Sequence, residues 1–176
     1  MSSLLVISAL GDDRPGIVQS LSRAILENGC NIEDSRMSVL GGSFAVIILV
    51  SGQWNTLAKL EGSLPALGEK LGLSITTRRT EPRKLAGHML SYSVDVISLD
   101  HPGIVNELAT FFSQRGINIQ DMATSSYSAA HTATPMFAVR MTVEIPSNLH
   151  IAALRDEFLD LCDRLNLDGV IEPLKG

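Results

Sequence analysis

The stretch GDDRPGIV at residues 11–18 returns as LDHPGIV at residues 99–105, and that repetition decides the fold. A displacement of 87 lays Asp13, Pro15, Gly16, Ile17, Val18, Leu21, Gly29, Asn31, Ile32 and Asp34 on Asp100, Pro102, Gly103, Ile104, Val105, Leu108, Gly116, Asn118, Ile119 and Asp121, ten identities in the 24 positions from 11 to 34. Phe44, Ala45 and Val46 then meet Phe137, Ala138 and Val139 at a shift of 93. Leu57, Leu60, Leu64, Leu67 and Leu71 meet Ile151, Leu154, Phe158, Leu161 and Leu165 at 94. The chain is two copies of one unit, the second carrying an insertion near 127–135.

Apolar residues after each turn recur at helical spacing, Ile17, Val18, Leu21, Ala24 and Ile25 in the first copy, until Gly29 or Gly116 ends the pattern. Strand-like runs precede the turn, Leu4–Leu10 and Leu90–Ser98. After the helix come Asn31–Leu40, a Gly41-Gly42 hairpin signal and Ser43–Ser51, then a second helix over Asn55–Leu71 and a last strand over Leu73–Arg78. Each copy reads βαββαβ. The expected class is α+β: two ferredoxin-like plaits in tandem, each with its helices on one face of an antiparallel sheet. The first module spans 1–79, a linker 80–88 and the second module 89–176; the basic residues of TRRTEPRKLAGH (77–88) read as a solvated connection.

Composition excludes several function classes. A chain of 176 residues with 45% apolar residues can bury a core, and a net charge of −5 with scattered Lys and Arg leaves no surface for a phosphate backbone. Neither a signal peptide nor a membrane span is legible, and Cys30 and Cys162 read as small buried hydrophobes in a cytoplasmic protein. His88, His101, His131 and His150 lack metal-ligand spacing, and no Ser-His-Asp arrangement can be assigned; no cofactor, metal or catalysis is expected.

The turn has two readings. Asp13 can cap the helix, with Pro15 and Gly16 in its first turn. Alternatively, Gly16 lets a ligand reach the free N–H groups at the positive end of the helix, and Asp12 or Asp13 meets an ammonium group, a site for a small zwitterion. Asn31, in CNIEDSR, and Asn118, in INIQDMA, offer both donor and acceptor, or serve only as turn residues. Trp54 reads as a contact hot spot or a half-buried anchor, and Tyr127–Pro135 as a partner loop or a tolerated insertion.

Asp-x-Pro-Gly-Ile-Val at a strand-to-helix turn, with Gly-x-Asn-Ile entering the second strand, resembles the ACT domain, a small amino-acid-sensing module. SALGDDRPGIV and CNIEDSRMSVLGGSFAVIILVSGQWN resemble more narrowly the tandem-ACT family of glycine cleavage repressors. The resemblance implies a regulator without DNA contacts of its own, acting through a transcriptional activator and relieved by glycine. It also implies effectors lodged between modules, giving Gly11, Asp12, Asp13, Gly16, Ile17, Asn31 and Ile32 as one ligand set and Asp100, Gly103, Ile104, Asn118 and Ile119 as the second. Because only the first turn holds Gly11 and paired acids, where the second has Ser98 and Leu99, the first is the expected main site. The modules are expected to associate through first helices and second strands, within the chain or as a homodimer. The alternatives are a ligand-free interaction module, a regulator responding to another small amino acid, and a fragment of an ACT-containing enzyme such as the formyltetrahydrofolate deformylases.

Overall fold

A computed structural model describes residues 3–82 and 88–174, and the chain divides into two compact units, Met1–Arg83 and Lys84–Gly176. The first unit contains β1 (Ser3–Asp12), α1 (Ile17–Glu27), β2 (Asn31–Leu40), β3 (Ser43–Gly52), α2 (Trp54–Leu71) and β4 (Leu73–Thr80). The second contains β5 (Met89–Leu99), α3 (Ile104–Ser113), β6 (Asn118–Ser128), β7 (Pro135–Pro146), α4 (Ile151–Leu165) and β8 (Asp168–Pro173). Strand orders are β2-β3-β1-β4 and β6-β7-β5-β8, all neighbours antiparallel. Each unit is therefore the anticipated βαββαβ plait.

Alternation explains why each sheet has one covered face. Leu5, Ile7 and Ala9 of β1 and Phe44, Val46, Ile48 and Val50 of β3 point to one side, where Ile17, Leu21 and Ile25 of α1 and Leu57, Leu60 and Leu64 of α2 meet them. The second core is built alike but carries Phe111, Phe112 and Phe158, with ring centroids 5.1 Å apart for the first pair and 5.8 Å for Phe111–Phe158, where the repeat places Ala24, Ile25 and Leu64 in the first. α1 ends with Cys30 N–H donating to the Ile25 carbonyl (3.1 Å) and Gly29 N–H to that of Leu26 (2.9 Å); Ile117 and Gly116 repeat this pair of bonds on Phe112 and Ser113.

Three sequence readings need correction. Helix α1 starts at Ile17 with Gly16, not Asp13, as its cap residue. β4 ends at Thr80, two residues beyond the Arg78 end read from the sequence, because it continues to pair with β1 that far, so Arg79 is strand and neither Arg78 nor Arg79 is part of a solvated connection; Arg83, Lys84 and Gly87 lie outside the described residues. The Asn-Ile-x-Asp motif marks a β-bulge: the register of β2 on β3 shifts between Ile32 and Asp34, and that of β6 on β7 between Ile119 and Asp121. Without the extra residue Ile32 and Asp34 would share a face; with it Ile32 lies opposite the buried Val50, on the helix side, while Asp34 lies opposite Leu49 on the open side.

Candidate functional site

The duplicated turn owes its shape to a left-handed glycine. Gly16 has φ +94° and Gly103 φ +97°, values that an L side chain rarely adopts, and a Cβ at either would find no atom within 4 Å. Each glycine therefore bends the chain into the helix while leaving open space above it. The helix cap carries no side-chain hydrogen bond in either unit. The first helical bonds run from Ser20 N–H to the Gly16 carbonyl and from Glu107 N–H to that of Gly103, both 3.0 Å, so the N–H groups of Ile17–Gln19 and Ile104–Asn106 have no acceptor within their helices. That is a surface suited to a carboxylate. Ile17 and Ile104, each 2% exposed, contribute backbone alone, since their side chains are core.

Asp13 holds the turn by its backbone, its N–H donating 3.0 Å to the Gly42 carbonyl, and Arg14 Nη2 reaches the Lys70 carbonyl at 3.3 Å, placing a cation at the C-terminal end of α2. The carboxylates of Asp12 and Asp13 are exposed and bond to no other described residue. In the second unit Asp100 N–H donates to the Pro135 carbonyl (3.0 Å), but its Oδ2 already accepts from Ser126 Oγ at 3.3 Å. His101 replaces Arg14 and keeps its Nδ1 beside the Pro102 carbonyl, 3.1 Å away. A shallow recess of about 620 Å³ lies here, between the turn, α3 and Phe137.

Gly11 does something other than supply flexibility. A Cβ there would stand 2.5 Å from the Gly72 carbonyl oxygen and 2.7 Å from Leu73 Cδ2, so glycine is required by the close approach of the α2–β4 corner. At the matching position Ser98 fits, 5% exposed with Oγ donating to the Leu99 carbonyl, because β8 pairs with β5 only as far as Ile97.

Within one unit the two halves of the expected ligand set are far apart. The turn sits with the Gly41-Gly42 hairpin at one end of the sheet, and Asn31 and Ile32 open β2 at the other, about 30 Å along the strand. Asn118 and Ile119 are separated from Asp100 and Gly103 in the same way. Asn31 is exposed, its Nδ2 3.4 Å from Glu33 Oε1, and Glu33 also accepts from Ser51 Oγ. Asp34 pairs with Arg36 and accepts the Ser35 N–H, and these two bonds hold its carboxyl below the usual carboxylate range. All ten residues of β2 are exposed, among them Ile32, Met37, Val39 and Leu40. Sequence reasoning also missed that His150 caps α4, its Nδ1 accepting from Ala153 N–H at 3.3 Å, a role its place before an apolar-periodic run could have signalled. Trp54 is 73% exposed, so it is not the half-buried anchor. Among the described residues no group of three or more His, Cys, Asp or Glu could hold a metal ion, and no helix is long and apolar enough to cross a membrane.

The ACT domain model matches residues 3–78. Across both units the chain is 35% identical over 167 residues to the glycine cleavage system transcriptional repressor of Escherichia coli K12, covering 95% of this chain and 88% of that one. The chain belongs to the glycine cleavage repressor family of tandem ACT proteins. A crystal structure of a glycine cleavage system transcriptional repressor matches the full chain with a TM-score of 0.75 at 31% identity, covering 99% of that protein, and a protein from Galdieria sulphuraria matches with 0.83 at 28%, covering 99% of this chain and all of that one. A UPF0237 protein of Methanocaldococcus jannaschii, 35% identical over 81 residues, spans 45% of this chain with 90% of its own length. Tandem ACT repressors are regulatory proteins, and the chain is not an enzyme.

Proposed function

We propose that this repressor-family member senses a small amino acid, in the first instance glycine, and thereby controls expression of the glycine cleavage genes from the cytoplasm through a protein transcriptional activator. The observation that carries the reading is the uncapped helix start, duplicated behind Gly16 and Gly103 and open to solvent in both units. Backbone N–H groups there take the ligand carboxylate, and Asp12 or Asp13, free of other bonds, takes the ammonium. Because Asn31 and Ile32 lie at the opposite end of β2, the site is completed by a second copy of the chain whose exposed second strand runs antiparallel alongside. Occupancy then changes how copies of the chain associate, which is what a protein partner can read. A net charge of −5 favours a protein partner over DNA.

Calorimetric titration of the full chain with an amino-acid panel tests this. A ligand at 100 times its Kd should raise stability by about 2.7 kcal/mol. Gly16→Ala should remove most of that gain and Gly103→Ala less of it, since Asp100 is already engaged by Ser126. Both variants carry the same left-handed strain, about 1 kcal/mol, so the difference between them isolates binding. Equal losses would make the sites equivalent; no ligand-induced shift in the wild type would leave a ligand-free interaction module.

A further inference from the structure

The two units part company at the outer edge of the fourth strand. In the first, Arg79 straps β4 to α2: its Nε lies 3.1 Å from both carboxylate oxygens of Glu61 and its Nη2 2.6 Å from Oε2. The repeat places Arg155 at the position of Glu61 and Pro173 at that of Arg79, so the strap has no counterpart. Arg155 is exposed and makes no hydrogen bond or ion pair with any other described residue. Between α4 and β8 there remains a groove of about 580 Å³, in which Leu159 is 43% exposed, while Val170, 48% exposed, stands on the opposite face of β8.

Among the described residues the backbone along this groove has no strand partner: β8 closes the strand order and pairs only with β5. Leu174 N–H donates to the Ser91 carbonyl at 2.9 Å, which sets the phase of the ladder: Asp168, Val170 and Glu172 turn their peptide groups toward β5. Gly169 and Ile171 therefore present N–H and C=O outward, and Pro173 its carbonyl.

We infer that this edge docks an extended segment of a partner protein, added beside β8 as a fifth strand, with a Glu or Asp of that segment against Arg155 and an apolar side chain against Leu159. Charge decides the occupant. The first unit shows that a carboxylate–guanidinium pair fits this corner, and in the second the guanidinium stands on the helix without its carboxylate. On the other side of the added strand Val170 and Glu172, which lie on the open face of the sheet opposite Asp95 and Ser93, select an apolar and a basic residue. Alternation of the segment delivers both pairs at once. The inference goes beyond the amino-acid site and does not require it.

The test is fluorescence anisotropy with the full chain and a labelled extended peptide bearing Glu and Leu on one face and Val and Lys on the other. Saturable binding is expected, lost when alternate peptide nitrogens are methylated. Arg155→Glu should weaken it about tenfold and should prefer the same peptide with Lys in place of Glu. Thermal melting of Arg155→Glu should match wild type, which separates loss of docking from loss of fold. No saturable binding, or binding indifferent to both methylation and the charge exchange, would overturn the proposal; so would sedimentation showing the edge already occupied by a second copy.

Discussion

One helix–sheet corner appears twice with its sizes exchanged. In the first unit Gly68 of α2 faces Ile75 of β4: a Cβ on Gly68 would lie 3.4 Å from Ile75 Cγ1 and 2.8 Å from the Leu73 carbonyl oxygen. In the second, the repeat puts Cys162 on the helix and Gly169 on the strand, and a Cβ on Gly169 would lie 2.5 Å from Cys162 Sγ and 3.0 Å from Phe158 Cε1. Close packing fixes the volume at the corner, whereas either element can supply it. Ties across the surface were redistributed as well. The first unit links helix to edge strand through Glu61–Arg79; the second links α4 to the turn that follows α3, Arg115 Nε donating to Glu157 at 2.8 Å while its guanidinium stacks on Phe111 at 3.8 Å. Two copies of one plan have thus diverged by paired changes.

The largest break in this comparison should come from Gly11→Ala. The methyl meets backbone at Gly72, which cannot swing aside, and about 3 kcal/mol of the first unit's stability should be lost. Ser98→Gly, the reverse change in the second unit, should cost about 1 kcal/mol. The lone tryptophan, Trp54, reports urea unfolding of the first unit, and the buried Tyr92 that of the second. Similar losses from the two variants would mean that the α2–β4 corner is no tighter than its counterpart.

Gly169→Ala is expected to cost about 2 kcal/mol, and Cys162→Gly in the same chain to recover part of it, because the double variant moves toward the first unit's arrangement. Strict additivity of the two changes would break the size-exchange account.

Alkaline pH should separate the units next. Burial, then the charges of Asp163 and Asp168, push the Cys162 thiol from 9.0 up to about 11. Below pH 9 it is protonated whether folded or unfolded and favours neither state. Between about 9 and 11 the unfolded chain ionises first, so stability of the second unit falls as pH rises. Cys162→Ala should flatten that slope in melts followed by Tyr92, whatever it does to stability at neutral pH.

The smallest effect is expected at the strap. Glu61→Ala leaves Arg79 half-buried without its carboxylate and should cost about 1 kcal/mol in the first unit, seen in the Trp54 transition. Arg155→Ala, at the matching position of the second unit, should be neutral for stability, since that side chain has no described partner.

Most of the plait was legible because its signals are periodic: β2 begins at Asn31 and ends at Leu40 as read, and Leu57, Leu60 and Leu64 line the core as their spacing implies. The site was legible less completely. Asp13 satisfies the composition rule for a helix cap, yet the left-handed Gly16 intervenes and takes the position, a matter of backbone angle that composition does not encode. Gly11 looked like freedom and proved to be proximity, because the corner that presses on it lies some sixty residues on in sequence. The bulge at Glu33 was hidden for a related reason: one extra residue changes which face Asp34 occupies without altering local hydrophobicity.

The exchanged corner also bears on how the chain avoids assembling itself wrongly. Both sheets use one strand order, so a nascent second unit could lend its last strand to the first, or take the first unit's, and each hybrid would satisfy the same backbone ladder. Side-chain volume disfavours both. β8 beneath α2 would set Gly169 against Gly68 and leave a void, while β4 beneath α4 would drive Ile75 into Cys162. Each helix thereby recognises the strand of its own copy, and a duplicated sequence folds as two modules rather than as a tangle of interchangeable parts.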